Sequence, residues 1–178
     1  MKLSFFAVPG TQAELLASSI HKRLEVPHVP IQYSILHEVP TEKPDYLVTV
    51  IDSPENTIGR KVARDPQVTL DSALQEYIGV YEYLIKNADL VIIKEFMSQD
   101  LEKTLRKIYD DINIDTANYL AKTGRVFEED LAIVPDLSLI FVEDELTPVE
   151  FSDDELKSKK FIKAKELYEE LKTKPNSF

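Results

Sequence analysis

The sequence predicts an α/β protein, a three-layer parallel sheet with helices on both faces. Short apolar runs rich in β-forming residues alternate with amphipathic helical stretches. Some of those runs, such as Leu90–Ile93, are continuously apolar, as strands covered on both faces tend to be. At 178 residues and 43% hydrophobic content, one domain over 1–178 can bury a core without disulfides or a structural metal. Such a sheet places any ligand beyond the carboxyl ends of its strands, here at loops 9–12, 52–57, 94–98 and 143–151.

Residues 3–8 are apolar and stop at Pro9-Gly10, which predicts the first strand. From Thr11, the residues Ala13, Leu16, Ala17, Ile20 and Leu24 recur at helical spacing. Pro27, Pro30, Pro40 and Pro44 keep 26–45 mostly extended, with room for a short strand at 31–36. Tyr46–Ile51 reads as a further strand. A polar segment follows, and then Leu70, Leu74, Tyr77, Ile78, Tyr81 and Ile85 mark one face of a long helix. Leu90–Ile93 is the next strand, helical patterns cover 98–109 and 113–123, and 137–142 is a further strand after Pro135-Asp136. Ser152-Asp153-Asp154-Glu155 has the spacing of a capping box and opens a helix that runs through Phe161, Ala164, Tyr168 and Leu171 to Pro175.

Charge and composition exclude several classes. A formal charge of −11 sets the protein's field against phosphate backbones, so nucleic acid is not an expected partner. No apolar run is long enough to cross a bilayer and no leader is recognisable, so no membrane association is expected. The chain has no cysteine, which removes thiolate metal sites and cysteine nucleophiles and fits a reducing, cytoplasmic setting. His21, His28 and His37 have no metal-ligand spacing, and the acidic residues of 143–154 lack the glycine of a calcium loop, so no metal is expected.

Four segments carry a resemblance in order along the chain. Gly10-Thr11-Gln12-Ala13-Glu14-Leu15-Leu16-Ala17 follows the first strand, and Ser53-Pro54-Glu55-Asn56-Thr57-Ile58-Gly59 follows Tyr46–Ile51. The run 87–96 and the Pro-Asp-Leu strand from Pro135 complete the set, with the C-terminal helix behind them. In outline the chain resembles the thymidylate kinases, which implies a P-loop nucleoside monophosphate kinase-like fold, a role near nucleotide metabolism and a homodimer through helices near Tyr77 and Tyr81.

The places where that family performs chemistry depart from its pattern. A phosphate loop needs Gly-x-x-x-x-Gly-Lys-Ser/Thr, so that successive N–H groups wrap the phosphates while the lysine reaches their oxygens. Here Pro9-Gly10 alone separates Val8 from Thr11, and the four glycines include no pair at that spacing. Lys94-Glu95-Phe96 stands where the family has Asp-Arg-Tyr/Phe, Asp52-Ser53 stands where it offers an arginine to the substrate phosphate, and 143–154 contains no lid arginine. Glu55 alone matches. The resemblance therefore implies a degenerate relative with no catalytic residues and no cofactor.

By position, Gly10, Thr11, Gln12, Asp52, Glu55, Lys94 and Glu95 are the candidate ligand-binding residues, facing a protein partner or a weakly bound nucleotide. Their plainer readings are a helix cap at Thr11 and a surface ion pair among Asp52, Lys94 and Glu95. The alternatives are an active nucleoside monophosphate kinase with a rebuilt site, in which Lys94 replaces the phosphate-loop lysine and Glu55 or Glu95 holds magnesium, or a purely structural interaction module.

Overall fold

A computed structural model describes residues 2–8, 11, 13, 16–17, 32–100, 103–104 and 148–177. The expected strand at 137–142, the helix at 113–123 and most of the first helix lie outside these residues. Four strands form one all-parallel sheet: β1 (Lys2–Phe6), β2 (Gln32–Leu36), β3 (Tyr46–Ile51) and β4 (Leu90–Ile93), in the order β2-β1-β3-β4. Phe6 lies beside Thr49, and Thr49 beside Val91, so alternate residues of each strand share a face.

Phe6, Leu47, Ile51, Val91 and Ile93 point into one core with the helices α2 (Leu70–Asn87) and α5 (Lys159–Lys172). On the opposite face Phe5, Val48, Val50, Leu90 and Ile92 are fully buried too. The continuous apolar character of β3 and β4 follows, because neither face meets water. Positions 13, 16 and 17 are helical, and Ala13, Leu16 and Ala17 are buried.

The connection from β2 to β3 uses only residues 37–45, fewer than the roughly twelve usual for a crossover between parallel strands. Pro40 and Pro44 help keep it extended, and about 30 Å of reach is enough to run back along β1 and enter β3 beyond it. With β2 on one side of β1 and β3 on the other, the switch point of the sheet falls between the carboxyl ends of β1 and β3.

The structure corrects several expected boundaries. The expected loop 52–57 is mostly helix: α1 (Pro54–Arg64) begins two residues after Asp52. Ser53 caps it by accepting from the Asn56 N–H at 3.2 Å, and Pro54 at its first position needs no donor. The expected loop 94–98 is also helix, because α3 (Lys94–Gln99) runs directly off β4. The C-terminal helix comes in two pieces, α4 (Asp153–Leu156) and α5. The Ser152–Glu155 capping box forms as the spacing predicts, but Ser158 adopts an extended conformation and starts a second helix by accepting from the Phe161 N–H at 3.3 Å. β1 ends at Phe6, although Ala7 still donates to the Leu36 carbonyl at 2.9 Å.

Candidate functional site

Asp52 follows the end of β3 and is held by residues of α1 and of the helices at 70–87 and 94–99. Its Oδ1 accepts from the Ser53 N–H at 2.7 Å and from Asn56 Nδ2 at 3.1 Å. Its Oδ2 accepts from Arg60 Nη1 at 2.9 Å, with Lys94 Nζ at 3.8 Å. The side chains of Asp52, Arg60 and Lys94 are only 12%, 17% and 16% exposed. Sequence reasoning offered a surface pair of Asp52 with Lys94 and Glu95. The structure corrects this: Glu95 is exposed, the shortest cationic contact comes from Arg60, and the charges are largely out of water.

The backbone of Asp52 is gripped as tightly as its side chain. The Tyr77 and Tyr81 hydroxyls donate to its carbonyl at 3.2 and 2.9 Å, and its own N–H reaches the Tyr81 oxygen at 3.4 Å. The two rings stack at 3.8 Å between centroids. Both residues belong to the chain's own core, and burial pushes both phenols well above the ordinary tyrosine range. Half-buried Tyr168 on α5 is pushed up to about 12, first by burial and then by the carboxylates of Asp52, Glu169, Glu95 and Glu55. Three carboxylates from the predicted set therefore converge electrostatically on one phenol. Glu55 is engaged by Lys165 at 2.7 Å in an ion pair about 40% exposed.

Thr11 is fully buried, and both its N–H and its hydroxyl donate to the Val8 carbonyl, at 3.2 and 2.7 Å. Both donors of Thr11 are therefore spent on the chain itself rather than turned toward an anion. Gly10 and Gln12 lie outside the described residues.

Sequence reasoning missed Arg60, Asn56 and the tyrosine hydroxyls. A signal for the first two was present. Ser53-Pro54-Glu55 reads as N-cap, first and second helical positions, and a helix from there puts Asn56 and Arg60 one turn apart on one face, over the residue before the cap. The tyrosines had no such signal, because helical spacing shows a buried stripe but not what its hydroxyls reach.

Chemically, the Asp52 carboxylate accepts hydrogen bonds on both oxygens from its own chain. No grouping of His, Asp and Glu among the described residues could hold a metal ion, and no helix among them is long and apolar enough to cross a membrane. Fold and site together define an α/β protein with a parallel sheet and an ion-paired junction at the carboxyl ends of β3 and β4. No protein-family model, curated protein or solved structure matches the chain.

Proposed function

We propose that this chain is a non-catalytic protein whose likeness to thymidylate kinases is one of scaffold, and that it works by binding rather than by phosphoryl transfer. The observation that carries this reading is the engagement of the Asp52 carboxylate by its own chain: the Ser53 N–H, Asn56 and Arg60 hydrogen-bond its two oxygens, and Lys94 stands beyond them. Phosphoryl transfer needs cations and carboxylates turned toward the transferring group, whereas here they are turned toward one another. The short closure from Val8 to Thr11 supports the same reading, since both Thr11 donors are already given to the Val8 carbonyl.

A rebuilt nucleoside monophosphate kinase is the second reading, favoured by the place of Lys94 at the start of α3, directly off the carboxyl end of β4. Incubating the pure protein with ATP, magnesium and each nucleoside monophosphate separates the two. The non-catalytic reading expects no turnover above a protein-free control; turnover that Lys94→Ala abolishes would establish the kinase instead.

A further inference from the structure

α5 packs on α2 through Phe161, Ala164, Leu167 and Leu171, and its opposite face is exposed. Along that face Lys159, Lys163, Glu166 and Glu170 follow at steps of four, three and four residues, which makes them one stripe down the helix. All four are exposed, and none forms an ion pair among the described residues. The lysines of α5 that do pair, Lys160, Lys165 and Lys172, lie off the stripe. Ile162 stands beside it and is 46% exposed, one of the few large apolar side chains so open to water.

Two cations followed by two anions work against the helix that carries them. A helix favours anions at its N-terminus and cations at its C-terminus, and along this stripe the signs are reversed. Lys159 with Lys163, and Glu166 with Glu170, are also like charges at i, i+4, which disfavours a helix again. Helix stability therefore gives no account of the stripe, whereas a second copy of it does. Turned end for end about a twofold axis between residues 164 and 165, Lys163 of one copy meets Glu166 of the other and Lys159 meets Glu170, each pairing made twice. The two Ile162 side chains then flank the axis.

From this arrangement we propose that the outer face of α5 is an interface between two copies of this chain, packed antiparallel. A nucleic acid or an anionic membrane would meet Glu166, Glu170 and the overall charge of −11, and an acidic peptide would match only half of the stripe. Repulsion between two such chains is screened beyond about 8 Å at physiological ionic strength, while pairs closed off in the contact keep more of their attraction. One helix against its copy falls short of the roughly 800 Å² per partner of a standard interface, so the dimer is weak. The face lies apart from Tyr77 and Tyr81, where the resemblance implies a dimer, and the proposal does not rest on the non-catalytic reading.

The test is sedimentation equilibrium of the full chain at up to about 1 mM in about 0.15 M salt, where a monomer–dimer equilibrium is expected. Lys163→Glu and Glu166→Lys each set like charges opposite one another across the twofold, so either variant alone should associate more weakly by about tenfold or more. Each also turns a like-charged i, i+4 pair of α5 into an opposite one, so the fold is kept. Mixed in equal amounts, the two variants restore both contacts, and the mixture should form a heterodimer about as strong as the native dimer. A native chain that stays monomeric at the highest concentration overturns the proposal. So does a single variant that associates as the native chain does, or a mixture that associates no better than its components.

Discussion

Removing the Asp52 carboxylate would take from Arg60 and Lys94 an anion they face in a setting only 16–17% exposed. Breaking one side of a buried pair costs more than the pair contributes, so Asp52→Ala should lose about 3–5 kcal/mol in urea unfolding. Asp52→Asn keeps the shape and part of the hydrogen bonding and should lose less. Tyr168 gives a second residue-level prediction. Its folded pKa of about 12 lies above the ordinary tyrosine value, so the folded state holds the phenolic proton more tightly. That contribution is complete below about pH 10 and is lost as the pH rises from there through about 12. Phenolate absorbance should rise last for Tyr168, Tyr77 and Tyr81, and stability should fall across the same range. Of the residues named in advance, Asp52 and Lys94 meet, and Thr11 closes on Val8. Arg60 could be read only by following the Ser53-Pro54-Glu55 helix start two turns on.

The helices differ in how openly the sequence declares them. α2 has an apolar stripe and the Thr69 cap, and the Ser152–Glu155 box marks α4. α1 is mostly polar, with Ile58 and Val62 its main apolar positions besides small residues, so periodicity is faint and the Ser53-Pro54-Glu55 start is the clearer mark. Its glycine has a purpose that only three dimensions reveal. A Cβ on Gly59 would stand 2.9 Å from Pro148 Cβ and 3.0 Å from the Val149 carbonyl oxygen, where the chain crosses the helix. Gly79 in α2 would meet nothing within 4 Å. Gly79→Ala should therefore stabilise by roughly 0.5–1 kcal/mol through helix propensity. Gly59→Ala should destabilise by about 1–3 kcal/mol, because the clash outweighs the same gain. Thermal unfolding of the two variants side by side checks both signs.

At the scale of the molecule, the parallel α/β class was legible because strands buried on both faces leave an unbroken apolar signature, as in β3 and β4. The strand order was not legible. It depends on which way each crossover turns, and the short passage from β2 to β3 around β1 leaves no local mark beyond its prolines. The non-catalytic reading predicts no rise in unfolding temperature with magnesium-ATP, whereas ligand at a hundred times its Kd would add about 2.7 kcal/mol of stability. Beneath that reading stands the claim that the Asp52–Arg60 pair is a structural clasp between β3 and α1. A double-mutant cycle on Asp52→Ala and Arg60→Ala, read by urea unfolding, tests it most directly. The clasp predicts a coupling above the roughly 1 kcal/mol ceiling of exposed pairs, whereas losses that add to within about 0.5 kcal/mol would contradict it.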